Sequence, residues 1–342
     1  MYLDDVKKAA NSKLPWDCLS GKNILVVGAT GMIGSCIVDV LMMNENVDYH
    51  VYASGRNKKR AMTLFSQYES SAYFHFIEYD VCTPLMADID FHYVIDAASG
   101  ANPIEYSKNP VGVIKANILG VEHLLSYGKD HNIKRFVYVS SGDVYGECKE
   151  KILNENMSGY VDPLKVRSCY PASKRAAEAL CVAYSHQYGL NVSIARPCHT
   201  FGPHFTNTDT RAYAQFIRNI VQGEDIVMKS NGEQYRSWCY VVDCALGILF
   251  VMLKGENGEA YNIADDNAVV SIKTLAETIA TIGKKQIIFD IPSDAEKMGY
   301  NPACHSVFTT ERLKMLGWTI EGTFQEKMLS TVDEAVRKNN VR

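Results

Sequence analysis

Short apolar runs alternate with longer stretches of helical periodicity through the first two thirds of the chain. Runs of 4–6 residues predict strands at 23–28, 49–53, 73–77, 93–96, 135–140 and 192–195. Apolar positions spaced along one helix face lie between them, at 33–43, at 111–131 and from Tyr170 onward. This alternation predicts an α/β fold with a doubly wound parallel sheet that helices cover on both faces.

The pattern becomes less regular beyond Arg196. Helices are predicted at 211–221 and 271–282, and an apolar helix ends near Lys254. Short apolar runs at 225–228 and 261–264 predict further strands. No low-complexity linker separates the two halves, so we expect a smaller second lobe that packs tightly against the first.

A glycine-rich turn at 28–34, Gly-Ala-Thr-Gly-Met-Ile-Gly, joins the first predicted strand to the first predicted helix. Small residues let the backbone approach a pyrophosphate and present N–H groups from a helix start. Spaced glycines alone also fit a plain tight turn. Their place between a strand and a helix, at the head of an alternating series, instead predicts a dinucleotide-binding (Rossmann) fold.

The residues after the next two strands leave the dinucleotide undecided between NAD and NADP. NAD sites usually carry an acidic residue at the end of the second strand, whereas this strand runs into Ser-Gly-Arg56. Arg56 either pairs with a 2′-phosphate, which favours NADP, or is a solvated basic residue that starts the next helix. Asp80 and Val81 follow the third strand, where they either meet the adenine or form a turn.

Tyr170 and Lys174 are four residues apart, so they share one face of the helix whose first turn includes Pro171. A phenol titrates near ~10, and a fixed ammonium with an oxidised nicotinamide beside it favours its anion. We therefore expect a lowered pKa at Tyr170 and proton exchange with an alcohol. Ser141 follows the fifth strand, where its hydroxyl either binds the reacting oxygen or caps a turn.

Length and composition constrain the class of protein. A chain of 342 residues is long enough for about two domains. We expect an N-terminal extension (1–20), a dinucleotide-binding domain (21–197, with 238–256 returning to it) and a smaller C-terminal substrate-binding lobe (198–237 and 257–342).

Charge and cysteine content argue against several other classes of protein. A formal net charge of −4 gives no general attraction to nucleic acid or to an anionic membrane, and no apolar run reaches the ~18 residues of a spanning helix. The ten cysteines form no C-x-x-C pair, so neither a metal site nor a disulfide framework is predicted. Reduced thiols lead us to expect a cytoplasmic protein.

Six motifs occur in order: Gly28-x-x-Gly31-x-x-Gly34, Asp80-Val81, Ser-Gly-Asp-Val-Tyr-Gly at 141–146, Tyr170-x-x-x-Lys174, 196–203 and 236–243. Together they resemble the extended short-chain dehydrogenase/reductase family of nucleotide-sugar epimerases, dehydratases and decarboxylases, over about 22–318. The resemblance implies a tightly held NAD(P) that takes a hydride from a sugar carbon, commonly C4, and returns it. It also implies a homodimer formed by a four-helix bundle of the helices near 111–131 and 170–188.

The resemblance also implies a set of site residues. The catalytic residues would be Tyr170 as base, Lys174 as its electrostatic partner and ribose ligand, Ser141 as the third member and Asp143 as a second base. The cofactor-binding residues would be Gly28, Thr30, Gly31, Met32, Ile33, Gly34, Arg56, Asp80, Val81, Ala97, Ala98, Ser99, Asn117, Tyr170, Lys174 and Pro197. The substrate-binding residues would be Ser141, Gly142, His199, Arg211 and Arg236.

Departures from the family patterns narrow the reaction. Gly142 stands where 4,6-dehydratases carry a proton-donating Asp, which argues against that dehydration. The string from Arg167 to Glu178 resembles UDP-glucuronate decarboxylases, although Asp143 replaces their Glu and His199 replaces an Asn of the family. Our first hypothesis is epimerisation of a nucleotide-diphosphate sugar by transient oxidation. Alternatives are decarboxylation of a UDP-glucuronate-like sugar, an NADPH-dependent keto-sugar reductase and, last, an inactive dinucleotide sensor.

Overall fold

The computed structural model describes residues 1–131, 133–206, 209–291 and 305–340. The strands are β1 (Asn23–Val27), β2 (His50–Gly55), β3 (Phe74–Glu78), β4 (Tyr93–Asp96), β5 (Arg135–Val139), β6 (Ile152–Leu153), β7 (Val192–Pro197), β8 (His199–Phe201), β9 (Ile226–Met228), β10 (Tyr235–Tyr240), β11 (Ala260–Ile263), β12 (Asp265–Ser271), β13 (Ile287–Phe289) and β14 (His305–Phe308). The helices are α1 (Tyr2–Ala10), α2 (Met32–Met42), α3 (Lys58–Leu64), α4 (Pro103–Lys108), α5 (Pro110–Asp130), α6 (Cys169–Tyr188), α7 (Ala212–Gln222), α8 (Val241–Lys254), α9 (Ile272–Gly283), α10 (Glu311–Met315) and α11 (Phe324–Asn340).

Seven parallel strands form the main sheet, in the order β11-β7-β5-β4-β1-β2-β3. Alternate residues of β1 face two separate apolar cores. Ile24 and Val26 pack with α2 and α8, whereas Leu25 and Val27 pack with α5 and α6. Because both faces of the sheet are covered, its central strands β1, β4 and β5 are almost continuously apolar. The predicted doubly wound α/β fold is confirmed.

Strand β11 extends the main sheet beyond β7, although the sequence placed residues 257–342 in the second lobe. Helix α8 crosses the face of the sheet, and the fully buried β11 then pairs in parallel with β7. The returning segment therefore reaches Ile263 instead of ending at 256. Helix α1 of the predicted N-terminal extension also joins the core, because Tyr2 and Val6 are buried against it.

A second sheet supports the substrate side of the molecule and was not predicted. Its strands run in the order β12-β10-β14-β6, and β8 pairs with β10. These strands come from distant parts of the chain, and β6 and β8 have only two and three residues. Strands this short carry too little periodicity to be predicted from the sequence. Pairing with distant segments determines their structure instead. This sheet places His199 of β8 beside Arg236 of β10.

Candidate active site

The glycine turn after β1 packs directly against the turn that follows β4. Gly28 has a φ of +75°, and a Cβ there would lie 2.7 Å from the Ala98 backbone. A Cβ on Gly34 would lie 2.4 Å from the Gly28 carbonyl oxygen. Only glycine fits either position, so no Cβ at 28 or 34 covers the backbone around the start of α2. This cradle fits a pyrophosphate group.

The other predicted cofactor residues surround the same edge of the sheet. Met32 and Ile33 begin α2, Ala97 and Ala98 follow β4, and Pro197 ends β7. The carboxyl ends of parallel strands meet along this edge, where dinucleotides bind in such folds. Thr30 lies beside the end of β2, because a Cβ on Gly55 would be 3.2 Å from its Oγ1.

A chain of hydrogen bonds between uncharged groups connects this edge to α6. The Ser99 hydroxyl donates to Asn117 Oδ1 over 2.8 Å, and Asn117 Nδ2 donates to the Ser173 hydroxyl over 2.9 Å. The single Ser173 proton in turn faces two carbonyl acceptors of α6, those of Cys169 and Tyr170. Asn117 is completely buried on α5. The network therefore fixes the first turn of α6 relative to the turn after β4.

The residues predicted to meet the adenosine half lie further along the edge. Arg56 is exposed just before α3, where Asn57 caps the helix by accepting from the Arg60 amide. Asp80 Oδ1 accepts from the Cys82 amide over 3.0 Å, so this carboxylate also shapes its own turn. Val81 is buried against Gly120 of α5. Their contacts with a cofactor remain predictions.

Tyr170 and Lys174 lie on one face of α6, as the spacing predicted, and both side chains are buried. Lys174 Nζ donates to the Val139 carbonyl at the end of β5 over 2.8 Å. The same nitrogen is 5.9 Å from the centre of the Tyr170 ring. Burial lowers the pKa of Lys174 to about 8, and the buried carboxyl of Asp96 opposes this shift.

The pKa of Tyr170 differs from the lowered value that the sequence predicted. Burial, reinforced by the Asp143 carboxylate, raises the pKa of Tyr170 to about 12. A hydrogen bond with Ser141 and the guanidinium groups of Arg211 and Arg167 oppose the rise. The protein groups alone thus disfavour the phenolate. The lowering expected from an oxidised nicotinamide would have to come from the cofactor.

Ser141 and Gly142 begin a short turn that the C-terminal part of the chain supports. The Ser141 hydroxyl accepts from the Asp143 amide over 3.1 Å. A Cβ on Gly142 would lie 2.5 Å from the ring of Phe308, a buried residue of β14. The aromatic ring thus fills the space that a longer side chain would need. A carboxyl group at position 142 would require this ring to move.

Asp143 is held beside Tyr170 by an arginine. Its Oδ2 lies 2.8 Å from Arg167 Nη2 in a half-exposed ion pair. The Arg167 guanidinium is 4.7 Å from the centre of the Tyr106 ring, and that ring stacks on Tyr170 with centres 4.8 Å apart. The three side chains form a layer that fixes both the phenol and Asp143.

Arg211 and Arg236, predicted as substrate-binding residues, both have protein partners. Arg211 Nη2 is 2.6 Å from Asp209 Oδ2, and its Nε donates to both oxygens of that carboxylate. Arg236 Nη1 is 2.9 Å from His199 Nε2. Burial, with help from the Arg236 charge, lowers the pKa of His199 to about 3. Both arginines are therefore already oriented by the protein.

Comparison with known proteins identifies the family. The profile of the NAD dependent epimerase/dehydratase family matches residues 24–264. The chain belongs to this family. It is 33% identical over 313 residues to UDP-glucuronic acid decarboxylase 5 of Arabidopsis thaliana, covering 90% of this chain and 86% of that protein. It is 34% identical over 231 residues to UDP-glucuronic acid decarboxylase 1 of Xenopus tropicalis, covering 68% and 53%.

Solved structures with low sequence identity share the fold of this epimerase/dehydratase family member. UDP-glucose 4-epimerase of Thermotoga maritima, solved with UDP-glucose, matches with a TM-score of 0.79 and 23% identity, covering 94% of this chain and 100% of that one. dTDP-glucose 4,6-dehydratase of Bacillus anthracis, solved with NAD, matches with a TM-score of 0.79 and 21% identity, covering 94% and 98%. These matches confirm the Rossmann-type architecture.

Family membership confirms the predicted nicotinamide dinucleotide cofactor, and the family is described as NAD dependent. Among the described residues, no helix is long and apolar enough to cross a membrane. The same residues contain no group of three or more His, Cys, Asp or Glu side chains that could hold a metal.

Several side chains that shape the site of this family member were not assigned a role from the sequence. Arg167 stands in the string before Tyr170, but its ion pair with Asp143 depends on the fold. Phe308 reaches Gly142 from β14, more than 160 residues later in the chain. Asp209, which orients Arg211, lies only two residues before it. The spacing of two residues between Asp209 and Arg211 was the sequence signal that could have predicted their ion pair.

Proposed function

We propose that this enzyme decarboxylates a UDP-glucuronate-like nucleotide sugar through transient oxidation at C4. Decarboxylation was the second hypothesis from the sequence, and epimerisation was the first. The curated relatives with 33% and 34% identity are named decarboxylases, so they favour the second. The preference for epimerisation has no comparable support.

The observation that carries the proposal is the cluster of three arginines around Tyr170, of which Arg167 and Arg211 are each paired with a single carboxylate. Arg167 and Arg211 both influence the pKa of its phenol, and Arg236 contacts His199 of the same site. A diphosphate and a sugar carboxylate are anions that guanidinium forks match well. The arrangement therefore supports an acidic sugar as substrate.

The residues around C4 would remove and return a proton. A bound nicotinamide dinucleotide supplies the oxidation, because it takes a hydride from C4 and later gives it back. Tyr170 accepts the proton of the C4 hydroxyl, and Ser141 hydrogen-bonds the same oxygen. Lys174 holds positive charge beneath the phenol and favours its anion.

A ketone at C4 makes loss of the carboxyl group feasible. The C5–C6 bond breaks, CO2 leaves, and the electron pair is delocalised from C5 onto the C4 oxygen. A proton then takes the place of the carboxyl group at C5. We assign its delivery to Asp143, which takes a proton from solvent and passes it to C5, because this side chain is one-third exposed. Arg167 keeps Asp143 in position throughout.

The packing around Gly142 supports this reaction over 4,6-dehydration. Dehydration needs an acid that protonates the leaving C6 hydroxyl, whereas Phe308 fills the space beside Gly142. Decarboxylation needs no such acid, because CO2 leaves without a proton. The Phe308 ring beside Gly142 therefore disfavours dehydration and is compatible with decarboxylation.

We also propose a homodimer through α5 and α6. Val111, Ile114 and Leu119 of α5 and Val182 of α6 are large apolar side chains that are at least 39% exposed. Their burial between two copies would be favourable. Light scattering at several protein concentrations is expected to give twice the chain mass. Replacing Val182 with Glu is expected to shift the mass towards that of one chain. A parent protein with the mass of one chain at every concentration would contradict the proposal.

Product analysis tests the proposed reaction. The purified chain is incubated with UDP-glucuronate and a catalytic amount of NAD, and the products are identified by mass spectrometry and NMR. We expect CO2 and a UDP-pentose, without net reduction of coenzyme. A C4-inverted product that keeps its carboxyl group would instead support epimerisation. Stoichiometric consumption of NADPH would support the reductase alternative, and Tyr170→Phe serves as the inactive control.

A further inference from the structure

A buried group of hydrogen bonds lies at the end of the turn that carries Ser141 and Asp143. At its centre is the hydroxyl of Tyr145, the last residue of that turn. The hydroxyl donates to Asn262 Oδ1 over 2.6 Å and accepts from Arg196 Nη1 over 3.1 Å. Arg196 belongs to β7 and Asn262 to β11, so the end of the turn is bound to two strands of the main sheet.

The protons of these hydrogen bonds have fixed directions. An arginine has only donors, so Tyr145 accepts from Arg196 and its own proton is left for Asn262. Burial raises the pKa of Tyr145 to about 12, so the hydroxyl keeps that proton near neutral pH. Asn262 Nδ2 donates to the carbonyls of Leu153 and Thr309 over 3.2 and 3.1 Å. The hydroxyl and the amide thus have partners for all their protons, which favours a single geometry.

Arg196 connects these hydrogen bonds to α6. Its Nε and Nη2 donate to the two carboxylate oxygens of Glu178 over 2.9 and 2.7 Å. Such a two-bond pair fixes the angle between its partners as well as their distance. Glu178 follows Lys174 by one helical turn and Tyr170 by two, so it lies along their side of α6. Four side chains therefore form one connected group, here called the Tyr145 network: Tyr145, Asn262, Arg196 and Glu178.

The Tyr145 network joins the two elements that carry the predicted catalytic side chains. Tyr170 and Lys174 are on α6, whereas Ser141 and Asp143 are on the turn after β5. Asp143 is two residues before Tyr145 and Ser141 is four, within one short helical turn and its cap. A shift of the Tyr145 side chain would therefore move both groups relative to α6.

Other contacts keep this turn folded when the Tyr145 hydroxyl is removed. Arg175 of α6 donates from Nε to the Val144 carbonyl over 2.6 Å and from Nη2 to the Gly159 carbonyl over 2.8 Å. The Tyr145 ring also packs against Phe308, with ring centres 5.5 Å apart. Loss of the hydroxyl alone should therefore shift the turn without unfolding it.

We propose that the Tyr145 network consists of positioning residues, which hold Ser141 and Asp143 in register with α6 for the reaction. This role rests on the proposed function, in which Ser141 binds the C4 oxygen and Asp143 delivers a proton to C5. A misplacement of about 1 Å can cost on the order of 10²-fold in rate. The network should therefore affect the rate of the reaction more than the binding of the sugar.

Tyr145→Phe tests this role, because it removes the hydroxyl and keeps the ring. NAD-loaded protein is mixed with UDP-glucuronate, and formation of bound NADH is followed by absorbance. We expect Tyr145→Phe to slow this oxidation roughly 10- to 100-fold at saturating sugar, with the affinity for the sugar changed by less than about threefold. Tyr49→Phe is the matched control, because the Tyr49 hydroxyl is also buried and donates to the Leu41 carbonyl over 2.6 Å, before β2 at the opposite edge of the sheet. It should lower the melting temperature similarly and leave the rate unchanged.

Two further measurements separate positioning from a purely structural role. If Tyr145 acts through Ser141, Tyr145→Phe should slow oxidation by less than about twofold in protein that already carries Ser141→Ala. Amide hydrogen exchange of the NAD-loaded protein needs no sugar. It should become faster within 141–146 in Tyr145→Phe and stay unchanged there in Tyr49→Phe.

Each of several results would overturn the positioning role. These are an oxidation rate of Tyr145→Phe within a factor of two of the parent, an undiminished effect in the Ser141→Ala background, unchanged exchange within 141–146, and loss of NAD binding or of the folded state. Oxidation followed by an epimerised product would refute the proposed decarboxylation alone, because both reactions share the oxidation step. If the parent formed no NADH with UDP-glucuronate, the proposed function would fail, and hydrogen exchange would still decide whether the network holds the turn.

Discussion

The cofactor side and the substrate side of this active site are held together in different ways. On the cofactor side, backbone meets backbone, because any side chain on Gly28 or Gly34 would collide with main-chain atoms. On the substrate side, charged side chains meet partners, as when Arg167 pairs with Asp143. The first side is therefore fixed by close packing of the fold. The second is fixed by individual side-chain pairs.

This difference has consequences for how the site can change. A substitution at the glycine turn must displace the turn after β4, so it affects the fold and cofactor binding together. A substitution in a guanidinium pair leaves the sheet intact and alters one contact. Substrate preference can therefore change within the family while the dinucleotide site stays the same. His199, which replaces an Asn of the family pattern, is an example of such a change.

The largest effect is expected where the two sides meet, at Tyr170. Tyr170→Phe removes the proposed proton acceptor but keeps the ring that stacks on Tyr106. We expect turnover to fall by roughly 10²–10⁴-fold, which is typical for a lost general acid–base group. Binding of NAD and the melting temperature should change little, as measured by titration and calorimetry. Tyr160→Phe, at a 61% exposed tyrosine, is the matched control. Activity of Tyr170→Phe within a factor of two of the parent would disprove the assignment.

The next largest effect is expected at the glycine turn, where an added side chain both strains the backbone and takes up space needed by the cofactor. Gly28→Ala and Gly189→Ala both place a side chain at positive φ, +75° and +71°, which costs about 1–2 kcal/mol. A Cβ on Gly189 has nothing within 4 Å, whereas one on Gly28 meets the Ala98 backbone at 2.7 Å. We therefore expect both variants to be less stable in calorimetry, and only Gly28→Ala to lose NAD affinity. Equal NAD affinity in the two variants would show that the cradle is not the pyrophosphate site.

The buried Asp96–Lys174 pair predicts a pH effect on the cofactor side. Burial raises the pKa of Asp96 to about 6, and its carboxylate in turn raises the lowered pKa of Lys174. Asp96→Asn removes that support, so Lys174 should lose its proton at lower pH. We expect the alkaline limb of the pH profile of kcat/KM to move to lower pH in this variant. Asp90→Asn, which changes an exposed carboxylate, is the control and should leave the profile unchanged.

The same pair predicts how stability varies with pH. Because the folded pKa of Asp96 is above its ordinary value, the folded state binds this proton more tightly than the unfolded chain. The contribution of Asp96 is therefore fully present below pH ~4 and is lost as the pH rises to about 6. Denaturant unfolding at several pH values should show this slope in the parent and not in Asp96→Asn. An identical slope in both would contradict the assignment.

The two sides also differ in how far the sequence predicted them. On the cofactor side, the run before Gly28 and the spacing of Tyr170 and Lys174 are local patterns, and local patterns specify strands and helix faces directly. On the substrate side, Phe308 reaches Gly142 and Arg236 reaches His199 through a sheet assembled from distant segments. Such contacts leave no mark at either position alone. The rise that burial causes in the pKa of Tyr170 was not predicted for a related reason, since burial depends on the complete fold.

The smallest effect tests which dinucleotide the cofactor side prefers. Arg56 is exposed after β2, and the family is described as NAD dependent. We expect Arg56→Ala to change NADH affinity by less than about twofold, because ribose hydroxyls do not need a guanidinium. NADPH affinity should fall several-fold if Arg56 meets the 2′-phosphate. Lys59→Ala, at an exposed basic residue of α3, controls for general charge. An equal loss of NADH and NADPH affinity in Arg56→Ala would show that Arg56 does not contact the 2′-phosphate. Arg56 would then not be the residue that distinguishes the two dinucleotides.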